Sequence, residues 1–404
     1  MSGNLLVGQS GGPTSVINSS LAAIVQASRR SHVIDRVFGM RWGIEGFIKG
    51  EVIDLGRQRP EVIERLRLTP SSALGSCRYK LTDSDLPRIL EKLAELEVHY
   101  LLLIGGNDTM DTIARIERFC RDEGYEIAGV GIPKTVDNDL FGTDHTPGYP
   151  SAARYVALSV QQSGRLARDM MKVDRFVIHQ TVGRDAGWLA AAAALARRCD
   201  GDPPHLIYLP ERPIDKERFV SDAVGCISRY GFVSIVCGEG IVWSDGTPVS
   251  ASADRDRFSN VEFGAMAGTS AALVLHGILA GSGDTKLRGE FQVTESLPMC
   301  AMDRASKVDL EEAFGAGLRG VVLAEGGASG VMVTIQRSST RPYSASYGSI
   351  PLEEVATRTK PMPDEFIAPQ GNDITPAFIE YARPLVGDLP EYASLEEIPV
   401  GDLQ

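Results

Sequence analysis

Short apolar runs, several of them ending in glycine or small polar residues and most of them followed by a helical pattern, recur along this chain and constrain its architecture more than any other feature. Runs at residues 5–7, 100–104 and 127–132 precede helical patterns at 15–30, 108–121 and 151–171. The alternation continues with runs at 176–181, 206–209 and 233–237 and helical patterns at 188–197 and 216–229. Uninterrupted apolar runs of strand length suit strands buried on both faces, and their alternation with helices predicts parallel sheets covered by helices on both sides. Over 404 residues, a count above about eight strands fits two doubly wound, mostly parallel-sheet α/β lobes better than one sheet. The expected division is 1–146 for a first lobe, 147–253 for a second, 254–360 for segments returning to both and 361–404 for a C-terminal extension. The polar, turn-rich stretch 245–260 is expected to be a mobile surface segment or a lobe connection. The stretch after Pro361, rich in Pro, Glu and Asp, is expected to wrap the surface as a tail.

Composition narrows the function classes. With 43% hydrophobic and 23% charged residues the chain has the balance of a packed globular protein, and no apolar run approaches the length of a membrane span. Its start, MSGNLLVGQSGGP, lacks the basic segment and long apolar stretch of a secretory signal, which leads to an expectation of a cytoplasmic protein with reduced cysteines. The six cysteines form no CxxC pair and the six histidines are scattered, so neither a zinc cage nor a disulfide framework is indicated. A net charge of −12 argues against nucleic acid as the main partner, while a local basic pocket for a small anion remains compatible with it.

Three loops carry chemistry. GQSGGPTSVINSS follows the first apolar run; its glycines, Gly8, Gly11 and Gly12, allow either a phosphate cradle before a helix N-terminus or a plain tight turn. A second strand ends in Gly105, Gly106, Asn107, Asp108 and Thr109, where Asp108 or Thr109 serves a ligand or caps the next helix. Loops at the carboxyl ends of strands in one open sheet share a crevice where ligands collect. PKTVDNDL, residues 133–140, is the most specific: Asp137 and Asp139 lie beside Lys134 and Thr135, which puts a base, a metal ligand and phosphate contacts in one loop.

These loops, with GSxR (Gly75, Ser76, Arg78), VGR (Val182, Gly183, Arg184) and GEG (Gly238 to Gly240), occur in an order that resembles the phosphofructokinase family, and more narrowly its pyrophosphate-using branch. The resemblance implies an active site in the cleft between the lobes, with donor and metal on the first and sugar phosphate on the second. It implies reversible, Mg2+-dependent transfer from pyrophosphate to C1 of fructose 6-phosphate, with Asp137 as general base and Thr135 and Asp139 orienting substrate and metal. Gly11, Gly12, Arg78, Gly106, Asp108 and Lys134 are the implied donor-binding residues, and Asn107 and Asp139 the implied metal ligands. Thr135, Val136, Asp137, Arg175, Val182, Gly183, Arg184, Glu239 and Arg304 are the implied sugar-phosphate contacts, with Lys134, Asp108 and Arg184 sharing in catalysis. In ATP-using members that resemble this pattern, the positions of Asp108 and Lys134 are glycines, so the pair implies pyrophosphate as donor. Arg175 matches an arginine that reaches a neighbouring subunit's site, which implies a homodimer or higher homo-oligomer.

Two positions depart from the family pattern. Asn107 stands where a metal-binding aspartate is usual, and Val293 stands where an arginine usually follows the glutamine in GEFQVTES. The first shifts metal binding toward Asp137, Asp139 and pyrophosphate itself; the second opens the acceptor to another sugar phosphate such as sedoheptulose 7-phosphate. An ATP-dependent enzyme at the same site, or a catalytically silent sugar-phosphate-binding subunit on the same scaffold, are the other readings.

Overall fold

The computed structural model describes residues 2–250, 269–282 and 286–396. Its first part runs β1 (Gly3–Gln9), α1 (Ile17–Ser28), β2 (Ile34–Met40), α2 (Gly43–Lys49), β3 (Val52–Asp54), α3 (Pro60–Leu66), α4 (Leu86–Glu95), β4 (Val98–Gly105), α5 (Asn107–Asp122) and β5 (Ala128–Pro133). A second group follows with α6 (Tyr149–Asp169), β6 (Phe176–Thr181), α7 (Trp188–Ala192), β7 (Leu206–Tyr208), α8 (Lys216–Tyr230), β8 (Val233–Gly238), α9 (Ala271–Ala280) and β9 (Gly289–Val293). The chain then continues through α10 (Lys307–Glu325), β10 (Val331–Thr340), β11 (Tyr343–Pro351), α11 (Leu352–Ala356) and α12 (Pro376–Val386).

Two sheets form among the described residues. The larger has the order β11-β10-β5-β4-β1-β2-β3, so the chain closes its first sheet only after returning from the second lobe. Its core is parallel, with antiparallel pairs at the two edges, β2 with β3 and β10 with β11. From β1 the chain moves one way, to β2, and from β4 the other way, to β5, so the topological switch point lies between β1 and β4. Loops leaving the carboxyl ends of these two strands part to opposite faces and leave a crevice. The smaller sheet is parallel throughout, in the order β7-β8-β6-β9.

Alternation along the strands sets which helix covers which face. Leu5, Val7, Leu102, Ile104, Val130 and Ile132 pack against α1 and α10, whereas Leu6, Leu101 and Leu103 pack against α4 and α5. In the second sheet Phe176, Ile178, Ile235 and Cys237 meet α8 and α9, while Ile207 and Val236 turn to the opposite face. That opposite face joins α6, α7, α12 and Val136, from the loop after β5, in one cluster linking the lobes. Each such buried aliphatic side chain contributes about 1.5–3 kcal/mol, which fixes the strand ends from which the loops emerge.

The expectation of a surface tail after Pro361 fails for its helical part. Phe378, Ala382, Leu385 and Val386 of α12 are fully buried between the lobes, and their spacing is that of one helix face. Beyond α12 the chain does lie along the surface, held by Arg154 to the Asp388 carbonyl, by Arg198 to that of Leu389 and by Arg165 to that of Ala393. Of the stretch expected to be a mobile segment or lobe connection, residues 251–260 lie outside the described residues. Among the described residues no helix is long and apolar enough to cross a membrane.

Candidate active site

A cleft of about 910 Å³ opens between the lobes where the carboxyl ends of β1, β4, β5, β6 and β8 converge. Gly11, Gly12, Arg78, Gly106, Asn107, Asp108, Lys134, Thr135, Val136, Asp137, Asp139, Val182, Arg184 and Glu239 all line it. Gly183 is adjacent, its backbone N–H donating to Glu239 Oε1 at 3.2 Å and so tying the loop after β6 to the loop after β8. Its φ of +121° and the Ala186 carbonyl at 2.8 Å from any added Cβ restrict that position to glycine.

On the first lobe the loops after β1, β4 and β5 are stitched together. Lys134 donates its backbone N–H to the Gly105 carbonyl at 3.0 Å and its ammonium to the Gly12 carbonyl at 2.6 Å. Gly11 takes a left-handed φ of +74°, a backbone conformation that favours glycine, and lies beside the Lys134 ammonium, which a Cβ there would approach to 3.4 Å. Helix α5 starts at Asn107 and aims its N-terminal N–H groups and partial positive charge at the cleft. Asp108 is exposed in its first turn.

The TVDND turn folds back on the segment that follows it. Asp137 N–H bonds to Thr135 Oγ1 at 3.1 Å, Thr146 Oγ1 to the Thr135 carbonyl at 2.9 Å, and Thr146 N–H to Asn138 Oδ1 at 3.1 Å. Burial, reinforced by the carboxylates of Asp139 and Glu239, pushes the half-buried Asp137 carboxyl up to about 7, against the pull of Arg184 and Lys134. Burial lowers the Lys134 ammonium to about 8, against the carboxylates of Asp137 and Asp139. Burial also raises Asp139 and Glu239. A carboxyl poised near 7 suits proton abstraction at neutral pH, and cations beside it suit a phosphoryl donor.

Asn107 donates its amide to Asp139 Oδ2 at 3.3 Å, while its own Oδ1 is buried without a hydrogen-bond partner. An orphaned carbonyl oxygen beside a carboxylate is the hard oxygen pair that Mg2+ takes together with waters and substrate phosphates. The residues therefore fit the expected metal. No cluster of three or more His, Cys, Asp or Glu suited to holding a metal alone occurs among the described residues.

Two expected residues do not line this chain's cleft. Arg175 precedes β6 at the end of the second sheet opposite the cleft and donates to the Gly231 carbonyl at 2.8 Å. Arg304 donates to Ser159 Oγ at 3.0 Å and lies over the Tyr155 ring. Val293 packs against the core of the second lobe under α8 and α9. The cleft also gathers residues the motifs did not single out: Asp185, Glu295, Ser296, Met299 and the strap Thr359–Lys360–Pro361. Glu295 carries a left-handed φ of +45°, rare for a non-glycine residue, but nothing in its local sequence signals it.

Residues 4–278 match the sequence family described as phosphofructokinase. Among curated proteins the chain is 37% identical to a pyrophosphate–fructose 6-phosphate 1-phosphotransferase of Rhodospirillum rubrum, over 95% of this chain and 94% of that one. It is 32% identical to a sulfofructose kinase of Alkalicoccus urumqiensis, over 89% and 91% of the two chains. Its fold is similar to the crystal structure of a pyrophosphate-dependent phosphofructokinase from Nitrosospira multiformis, with a TM-score of 0.87 and 33% identity, covering 99% of this chain and 95% of that one.

Proposed function

This chain belongs to the phosphofructokinase family, and from that premise we propose that it transfers a phosphoryl group from pyrophosphate to C1 of fructose 6-phosphate. The products are fructose 1,6-bisphosphate and phosphate. The observation that carries the reading is the meeting of Asp137, Lys134 and Arg184 with the loops after β1 and β4 in one interlobe cleft. The names of relatives that match nearly end to end support the same donor and acceptor.

Asp137 takes the proton of the C1 hydroxyl as that oxygen forms its bond to the donor phosphorus. The bond to the bridging oxygen breaks, and phosphate leaves with the electron pair. No covalent enzyme intermediate is needed, so alignment and charge neutralisation do most of the work. Lys134, held on the Gly12 carbonyl, Arg78 and Arg184 neutralise the donor, Thr135 and Val136 line the acceptor's approach, and Glu239 accepts sugar hydroxyls. Mg2+ supplies further charge neutralisation when bound, with Asp139 and the Asn107 carbonyl as this chain's ligands. Asp108, exposed in the first turn of α5, puts volume and negative charge where a nucleotide's α-phosphate would lie and favours the smaller donor. Pyrophosphate cleavage releases less free energy than ATP cleavage, so the transfer is reversible. The enzyme works in the cytoplasm as at least a homodimer, with Arg175 reaching the sugar phosphate of a neighbouring subunit and Arg304 closing on the phosphate of its own.

A second reading concerns the acceptor alone. Val293 is turned into the core, and Asp185, Glu239 and Glu295 stand around Arg184 at the acceptor end. Sedoheptulose 7-phosphate, or a sulfofructose as in the name of the Alkalicoccus relative, is then the preferred acceptor. An aldolase-coupled assay with Mg2+ decides: turnover with fructose 6-phosphate and pyrophosphate but not ATP is expected. Turnover with ATP alone overturns the donor assignment, faster turnover with another ketose moves the acceptor, and no turnover with any pair points to a silent subunit.

A further inference from the structure

Between Asp137 and Asp139, the two carboxylates of the TVDND turn, Asn138 is fully buried and takes a left-handed φ of +56°. Its side chain is gripped from three sides. Asn138 Oδ1 accepts from the Thr146 N–H at 3.1 Å and from Lys360 Nζ at 3.3 Å, and its amide donates to Tyr381 Oη at 3.0 Å. Tyr381 in turn donates to the Asp144 carbonyl at 3.0 Å. Lys360 and Tyr381 come from the C-terminal part of the chain, more than 200 residues beyond the turn they hold.

The strap around Lys360 is itself built onto the turn. Lys360 donates its backbone N–H to the Asp139 carbonyl at 2.7 Å, and Thr359 forms an antiparallel bridge with Leu140. The Lys360 carbonyl accepts from Trp188 Nε1 at 3.4 Å, and its ammonium lies 5.0 Å from the centre of a Trp188 ring. An ammonium has three protons to donate. Those of Lys360 have three oxygens to meet: Asn138 Oδ1, the Thr143 carbonyl at 3.2 Å and the Asp144 carbonyl at 2.7 Å. Although Lys360 borders the cleft, its donors are directed at the protein and none is left for a phosphate.

We propose that Lys360, seconded by Tyr381, is a positioning residue for phosphoryl transfer: it holds Asn138 in its left-handed turn and thereby aims the carboxylates on either side of it. The inference rests on the proposed role of Asp137 as base. A small displacement of that carboxylate from the acceptor hydroxyl slows the chemical step while leaving donor binding intact, because Lys134, the donor contact in the same loop, is held separately on the Gly12 and Gly105 carbonyls and the other donor contacts lie on other loops.

The test compares the full-length enzyme with Lys360→Met, which keeps the length of the side chain without the ammonium, with Tyr381→Phe, and with the pair. Turnover by the wild-type protein is measured first, since its absence defeats the functional reading and not the clamp. In Lys360→Met, kcat falls by about 100-fold, the order expected of a misaligned reacting group, while KM for pyrophosphate and its calorimetric Kd stay within about threefold. Tyr381→Phe lowers kcat by about tenfold, and the double variant falls by less than the product of the two, since both act through Asn138. A folded Lys360→Met enzyme with unchanged kcat overturns the proposal. So does one with unchanged kcat and a raised KM for pyrophosphate, which would make Lys360 a donor contact. If Lys360→Met does not fold, Tyr381→Phe decides alone, and its retention of wild-type kcat overturns the clamp.

Discussion

Asp137 is surrounded by groups that pull its proton affinity in opposite directions, and the balance decides its chemistry. Burial and the carboxylates of Asp139 and Glu239 raise it, Arg184 and Lys134 lower it, and the result near 7 leaves a base strong enough to take a hydroxyl proton and ionised in a substantial fraction at neutral pH. Asp137→Ala should therefore cut kcat by about 10²–10⁴-fold while calorimetric binding of pyrophosphate and the thermal midpoint change little; retained sugar-dependent turnover would reject Asp137 as base. The residues of this turn were legible from the sequence because they are contiguous and directly follow an apolar strand. The same holds for Asn107 and Asp108 after β4. Lys360 and Glu295, which reach the cleft, and Tyr381, which reaches the turn beside it, were not, because each comes from a remote segment without a local motif. Val293 could be flagged as a departure from a pattern, but only the fold shows it turned into the second lobe's core.

Elements meet through buried polar groups as well as apolar faces. Asp309, in the first turn of α10, accepts the N–H groups of Gly148 at 2.9 Å and Ser151 at 3.0 Å, and so caps the start of α6 from another helix. Asp309→Ala leaves those donors buried without a partner and should lower unfolding stability by about 1–3 kcal/mol in denaturant titration, with Asp309→Asn recovering part of the loss. A second junction centres on His145, which is fully buried with Nδ1 2.8 Å from Asp144 and Nε2 2.5 Å from Glu312 of α10. Arg337 of β10 bonds the same Asp144, and Tyr343 of β11 donates to Glu312. Burial alone would lower the His145 pKa, but hydrogen bonds to both carboxylates outweigh it and hold the imidazolium above its usual range. A raised folded-state pKa contributes stability that is complete below the unfolded histidine's value, near 6.5, and is lost as pH rises through the folded one. The thermal midpoint should thus fall as pH climbs above about 6.5, and His145→Gln should flatten that slope; an unchanged slope would place the titration elsewhere. Strand–helix alternation made the parallel core legible, but β10 and β11 were not, because their outer halves carry polar residues on both faces and pair only with each other at the sheet edge. Helix α12 is hard to see in the sequence because acidic and proline residues mask an apolar face at helical spacing.

At the scale of the molecule, charge is distributed unevenly along the cleft. The donor end sets Arg78, Lys80, Arg115 and Lys134 against Asp108 and Asp111, whereas the acceptor end sets Arg184 among Asp185, Glu239 and Glu295. A dianionic sugar phosphate placed there by one chain alone would meet more negative than positive charge. Arg175 cannot relieve this within its own subunit, since it stands at the far end of the second sheet, before β6 rather than after it. Half-exposed Leu166, Met170 and Val173 precede it along α6 and the turn that follows, an apolar neighbourhood suited to a contact between copies. If a twofold dimer carries each Arg175 to the other subunit's acceptor end, then two defective variants must complement. Arg175→Ala spoils the partner's site and Asp137→Ala spoils its own, so in a mixed dimer the two lesions fall on one site and the other is intact. Refolding an equal mixture should give half mixed dimers with one working site of two, or about a quarter of wild-type activity. Light scattering should show dimers or larger assemblies throughout. A monomeric mass with full activity would remove the premise, and a mixture no more active than its two components would show that Arg175 acts, if at all, on its own chain.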